Sequence, residues 1–252
     1  MRAALVTGAN TGIGYAICER LLEDGYALGY ATSDRDDQKR EAFERLSRLG
    51  RVHWVEGDLR DVAVPGRLVA DTVAALGRLD VLVNNAGLST AAPALELTVE
   101  DFDVTFAVDV RAAFLLTQEA ARRMEPGSVI VNITSIHERT PRPGLAVYAA
   151  AKAALGMLAR SFALELAPLG IRVVAVAPGA IATRRNVEAD ELAPEIPLRR
   201  PGEPEEVAGL VSFLCSDEAA YITGVSYLID GGAAQQVINL PADSRSRSAV
   251  PR

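Results

Sequence analysis

Lysine is almost missing from this chain: of its 26 basic residues only Lys39 and Lys152 are lysines, and the other 24 are arginines. Cysteine, histidine and tryptophan are scarce too, at two, two and one copies. Cys18 and Cys215 stand far apart with no CxxC and no Cys/His grouping, so they are expected to be packed thiols, and neither redox chemistry nor a metal site is indicated. Long apolar runs are absent. The N-terminal AALVT gives way to glycines, unlike a secretory signal, and residues 173–177 are stopped by proline and glycine well before bilayer length. No membrane association is expected, and the chain reads as cytoplasmic. Positive charge is not in excess either. A formal net charge of −7 repels a polyanion, and the basic residues are scattered apart from the pairs Arg184 with Arg185 and Arg199 with Arg200, so nucleic acid is not an expected partner.

What is present is the material for a large core. The 252 residues are 49% hydrophobic and 23% charged, ordinary for a folded protein. Short apolar runs at 3–7, 26–32, 52–56, 80–84, 128–134, 171–177 and 225–230 predict seven strands. Between them, apolar residues three and four apart predict helices at about 12–24, 36–49, 61–76, 99–124, 147–167 and 204–215. Strands apolar on both faces and separated by helices imply a parallel sheet covered on both sides. The expected fold is therefore α/β, a doubly wound Rossmann-type sheet. With no repeat and no linker, one domain is expected over residues 1–240, followed by a loose polar tail at 241–252.

Directly after the first strand comes TGANTGIG, with Gly8, Gly12 and Gly14 and, between them, Asn10, Thr11 and Ile13, and then a helix-like run. Glycines let a backbone approach a ligand closely, and a helix N-terminus offers free N–H groups and a positive dipole end to a pyrophosphate. A nucleotide is the natural occupant, a turn serving only packing the bland alternative. A triphosphate-cradling loop needs a lysine and Ser/Thr after the last glycine, and Tyr15 stands there instead. The second strand ends ATSDR. Thr32, Ser33 and Arg35 suit the 2′-phosphate of NADP, whereas Asp34, twenty residues after Gly14, suits the ribose 2′-hydroxyl of NAD. NADP is preferred, with NAD as the alternative.

VYAAAK, 147–152, places one of the two lysines four residues after a tyrosine. With six tyrosines in the chain, chance does that roughly one time in twenty. Residues four apart share a helix face, so Tyr148 and Lys152 can enter one cleft. A phenol titrating near 10 is a poor proton shuttle at neutral pH, and bringing it down three units takes about 4 kcal/mol. One charge about 4 Å away supplies an amount of that order at an effective dielectric of 20. Ser135, at the end of the fifth strand, offers the hydroxyl that orients a carbonyl opposite the phenol.

TGANTGIG, GDLRD (57–61), NNAG (84–87), ITSIHE (133–138), YAAAK (148–152), PGAIAT (178–183) and the run 202–232 ending in DGG together resemble the short-chain dehydrogenase/reductase family, over about residues 3–235. Within it the chain is similar to 3-oxoacyl-carrier-protein reductases and glucose 1-dehydrogenases. The resemblance implies an NAD(P)-dependent oxidoreductase acting on a small carbonyl or alcohol. It implies that Asp58 and Leu59 flank the adenine, that Asn85, Ala86 and Gly87 line the cofactor floor, and that Pro178, Gly179, Ile181 and Thr183 cover the nicotinamide. Tyr148 and Lys152 would also contact the cofactor. Blander roles exist: Asp58 as a loop residue, Asn84 and Asn85 as satisfiers of backbone groups, Pro178-Gly179 as a turn.

Where the family usually has asparagine this chain has Asp109. Either the swap is tolerated, and Asp109→Asn leaves turnover within a fewfold, or the carboxylate stabilises charged Lys152 and alters the proton relay. After Ser135, His137 is a candidate hydroxyl contact for a sugar, or a plain loop residue, while Leu88-Ser89-Thr90 lacks the acidic contact of the sugar enzymes. The segment 183–197 occupies the place of a substrate lid and reads as short, which predicts an open mouth. Arg139, Arg142, Arg184, Arg185, Arg199 and Arg200 form a candidate rim for an anionic substrate, or a solvated edge. Alanine-rich helix faces and the family resemblance imply a homo-oligomer, a tetramer or dimer. A nucleotide-binding sensor without turnover is the reading from a different class.

Overall fold

The computed structural model describes residues 1–34, 36–184, 186 and 189–235. Seven strands, β1 (Ala3–Thr7), β2 (Ala27–Thr32), β3 (Val52–Glu56), β4 (Val81–Asn84), β5 (Val129–Ile133), β6 (Arg172–Pro178) and β7 (Ser226–Ile229), form one sheet in the order β3-β2-β1-β4-β5-β6-β7. Every pairing is parallel. The helices are α1 (Gly12–Glu23), α2 (Asp37–Ser47), α3 (Val64–Leu76), α4 (Val99–Phe106), α5 (Ala112–Ala121), α6 (Ala146–Leu166) and α7 (Pro204–Cys215).

The continuous apolar strands follow from burial on both faces. Val6, Val83, Val131 and Val176 point into a core closed by Ile17 and Leu21 of α1 and by Val207, Val211 and Leu214 of α7. Their neighbours Leu5, Leu82, Ile130 and Ala175 point the other way, onto Leu68 and Val69 of α3, Leu116 of α5, and Ala159 and Ala163 of α6. Each buried Leu or Ile stabilises the fold by about 1.5–3 kcal/mol relative to exposure, so both faces hold the sheet between helices. Cys18 and Cys215 are free and fully buried, and desolvation holds both thiols above their ordinary range, Cys215 at about 12.

Two helices depart from their predicted spans. The 99–124 stretch is interrupted by a wide π turn, Ala107–Arg111, between α4 and α5. Such a turn adds a residue to the helical circuit and re-aims side chains, and here it carries Asp109 inward to 1% exposure. The 61–76 helix starts only at Val64, because Asp61 accepts from the Ala63 N–H in a tight turn ahead of it. By length and composition α6 is apolar enough to cross a bilayer, yet its buried face packs on the sheet and it carries Tyr148 and Lys152.

Candidate active site

The chain reverses its winding between β1 and β4, and the loops after these neighbouring strands part there to open a cleft of about 1590 Å³. An open α/β sheet binds its ligands at this position. Gly8, Asn10, Thr11, Gly12, Ile13 and Gly14 line it from the β1–α1 loop, with Thr32 and Ser33 after β2 and Asp58 and Leu59 after β3. Asn85, Ala86 and Gly87 line it after β4, Ser135 and His137 after β5, Tyr148 and Lys152 on α6, and Pro178, Gly179, Ile181 and Thr183 after β6. Among the described residues expected to act in catalysis or to contact the cofactor, Asp109 is the one outside the cleft lining.

The β1–α1 loop fits a pyrophosphate. Thr11 caps α1 without a side-chain hydrogen bond and the first turn holds no acid, whereas α2 and α4 are capped by the side chains of Asp36 and Thr98. The leading N–H groups of α1 are thus left for an anion. A Cβ on Gly14 would lie 2.2 Å from the Gly8 carbonyl oxygen, so only glycine lets the helix start this close to the loop.

Several expected contacts are also structural, and three are spent on the protein itself. The Asn85 amide donates to the Thr7 and Gly8 carbonyls at 2.9 and 3.0 Å, while the Thr7 hydroxyl accepts from Asn85 N–H and Ala86 N–H, both at 3.1 Å. Asn85 therefore shapes the glycine loop and presents no free amide N–H along those directions. The Thr32 hydroxyl accepts from the Trp54 indole and donates to the Asp34 carbonyl, each at 2.8 Å, so it fixes the end of β2. Asp58 is held by the Arg60 guanidinium and by the Arg60 N–H, which keep its carboxyl below the usual carboxylate range. Asn84 bridges to Asn132 on β5 at 2.9 Å.

At the other end of the cleft stand Ser135, Tyr148 and Lys152. Ser135 begins a turn, Ile136–Glu138, and its oxygen accepts from the His137 N–H at 3.2 Å, leaving the hydroxyl proton to be donated elsewhere. Half-buried Tyr148 has the Lys152 ammonium 5.5 Å from its ring centroid. Lys152 is 4% exposed, donates to the Ile133 carbonyl at 3.3 Å and lies 2.9 Å from Asp109 Oδ2. Asp109 Oδ1 in turn accepts from Leu88 N–H at 2.7 Å. A Cβ on Gly87 would lie 2.9 Å from Asp109 Oδ2 and 3.0 Å from Lys152 Nζ, so the pair is seated on bare backbone. The π turn that aims Asp109, and the Leu88 N–H it accepts, carry no signal in residue periodicity.

His137 faces Tyr148 edge-on, ring centroids 6.2 Å apart, and its Nδ1 is 2.8 Å from the Thr140 carbonyl. A carbonyl only accepts, so Nδ1 carries the proton and a neutral ring has Nε2 as an acceptor. The six candidate rim arginines separate. Arg139 pairs with Glu138, Arg199 donates to the Pro194 carbonyl and Arg200 forms a bidentate pair with Glu206. Arg142 and Arg184 line the cleft, and Arg185 lies outside the described residues, as do Arg35 and the tail. From the lid segment, Asn186, Leu192 and Glu195 line the cleft.

The family model described as enoyl-(acyl carrier protein) reductase matches residues 8–234. The chain belongs to the short-chain dehydrogenase/reductase family. It is 38% identical to the glucose 1-dehydrogenase of Gluconobacter oxydans, over 92% of this chain and 91% of the relative. It superposes on the acetoin dehydrogenase of Enterobacter cloacae with a TM-score of 0.88 at 41% identity, covering 95% of this chain and 98% of that one. On a short-chain dehydrogenase of Burkholderia cenocepacia solved in complex with NADP the TM-score is 0.88 at 35% identity, covering 92% and 97%. The protein is an oxidoreductase of this family with a nicotinamide cofactor site.

Proposed function

We propose that the protein interconverts a ketone and a secondary alcohol, with NADP its preferred cofactor, in a cleft that joins the Gly8–Gly14 cradle to Tyr148. The observation that carries this reading is the convergence of Ser135, Tyr148 and Lys152 on the cleft that the glycine loop opens. Hydride exchange with the reacting carbon is the chemistry that a bound nicotinamide would supply. Ser135 orients the carbonyl oxygen with its free O–H, and Tyr148 hands it a proton. Lys152 keeps a positive charge beside the phenol, lowering the cost of the phenolate that remains.

The leading substrate class is an acyl-type or other secondary-metabolite ketone. A sugar or another hydroxylated carbonyl is favoured by one specific observation, the Nε2 acceptor of His137, which suits a substrate hydroxyl. The likeness to a glucose 1-dehydrogenase and an acetoin dehydrogenase supports it. Arg142 and Arg184 suit an anionic group on either substrate. Exposed Phe102, Met157 and Leu164 on α4 and α6 support a homo-oligomer.

The decisive experiment is a panel of ketones, acyl thioesters, acetoin and glucose with NADPH and with NADH, run at low and high salt. An anionic substrate should lose kcat/KM as ionic strength rises and a neutral one should not. Tyr148→Phe should lower turnover by a factor on the order of 10²–10⁴ with nucleotide binding retained. No turnover of any panel member by the unmodified protein would favour a nucleotide sensor.

A further inference from the structure

The second lysine of the chain sits at the cofactor end of the cleft. Lys39, in the first turn of α2, is 13% exposed and places its ammonium 2.5 Å from Asp34 Oδ1 and 2.9 Å from Asp36 Oδ2. The other Asp34 oxygen accepts from the Ser33 hydroxyl at 2.9 Å. The Asp34 backbone is fixed as well, since its carbonyl accepts from Thr32, itself held by Trp54. Lys39 is anchored in turn: its N–H donates to Asp36 at 2.8 Å and its carbonyl accepts from Tyr30 at 3.0 Å.

We propose that Lys39 is a specificity-determining positioning residue that sets the choice between NADP and NAD by holding the Asp34 carboxylate away from the cofactor ribose. Asp34 and Ser33 line the cleft, and Lys39 stands behind them. A free carboxylate at the end of β2 accepts from a ribose 2′-hydroxyl and repels a 2′-phosphate. Here the Lys39 ammonium lies on one carboxylate oxygen and the Ser33 hydroxyl on the other, so part of Asp34's acceptor capacity is spent and its charge is partly neutralised, which weakens both its hold on a ribose hydroxyl and its repulsion of a phosphate. The low carboxyl titration of Asp34, caused first by the Lys39 hydrogen bond, agrees with an ionised and partnered group. Lys39 acts through Asp34, which makes the inference separable from direct phosphate binding by a basic side chain.

This inference rests on the NADP preference proposed above, and the test keeps the two apart. The ratio of kcat/KM with NADPH to kcat/KM with NADH is measured for the wild type, Lys39→Gln, Asp34→Asn and the double variant, with dissociation constants for the oxidised cofactors as a readout independent of turnover. A wild-type ratio above one supports the preference, and a ratio below one overturns it. Lys39→Gln should lower the ratio about tenfold by releasing Asp34. In the Asp34→Asn background the same substitution should leave the ratio unchanged, since the group it controls is gone. An unchanged ratio in Lys39→Gln overturns the inference whatever the wild type prefers. An equal drop in both backgrounds overturns it too, because Lys39 would then touch the phosphate directly.

Discussion

The two lysines of this chain meet carboxylates in opposite surroundings. Lys152 lines the cleft and Asp109 lies buried behind it, with side chains 4% and 0% exposed, whereas Lys39 meets Asp34 and Asp36, which are 60% and 51% exposed. In the first pair neither charge has water to fall back on, so each depends on the other and on fixed partners, the Ile133 carbonyl and the Leu88 N–H. In the second, the exposed carboxylates stay hydrated, so removing the lysine costs the fold little even though it changes what Asp34 presents to the cleft. On the readings proposed above, the same residue type serves stability and chemistry at one end of the cleft and selectivity at the other.

The sharpest way to break this contrast is to remove each ammonium in turn. Lys152→Met strands the Asp109 carboxylate in the interior, which costs about 3–5 kcal/mol. For a domain of this size that lowers Tm by roughly 6–20 °C. Turnover should be lost as well. Lys39→Met should leave the melting curve essentially unmoved, its effect confined to cofactor choice. Equal melting midpoints for the two variants would show that burial does not separate the pairs.

Next in size is Asp109→Asn. Two positive groups face Asp109: the Leu88 N–H donates to one oxygen, and the Lys152 ammonium forms an ion pair with the other at 2.9 Å. A carboxylate presents oxygen to both, but an amide must turn its NH2 toward either the Leu88 N–H or the Lys152 ammonium. The variant is therefore expected to lose more than about tenfold in kcat/KM, about 1.4 kcal/mol in the barrier. A change of only a fewfold would restore the tolerated-swap reading, in which the carboxylate is incidental.

How much of this could be read from residues alone depends on how local the cause is. The seven strands were legible because burial on both faces writes continuous apolar runs, and TGANTGIG was legible because close backbone approach demands glycine. Tyr148 and Lys152 were legible because helical periodicity places them on one face. Not legible was anything decided by contacts between distant segments: the π turn that brings Asp109 onto Lys152, or the Asn85 amide turned back to the Thr7 and Gly8 carbonyls. Lys39 showed only as a rarity of composition. Its hold on Asp34 depends on where the first turn of α2 lies against the end of β2, and sequence spacing does not fix that.

The smallest effect belongs to another surface pair, Arg200 with Glu206. The Arg200 guanidinium and then the Glu203 N–H hold the Glu206 carboxyl at about 2. A carboxyl depressed on folding adds stability that is fully present above its unfolded value near 4.3, and loses it as pH falls toward 2. With side chains 53% and 42% exposed, solvent screens most of that gain. Glu206→Gln should therefore lower Tm at pH 7 by only about one or two degrees, and the difference should close as the pH approaches 2. Melting curves at pH 7, 4 and 2 check this. A difference as large as that of Lys152→Met, or one that persists at pH 2, would mean that exposure is a poor guide to what these pairs contribute.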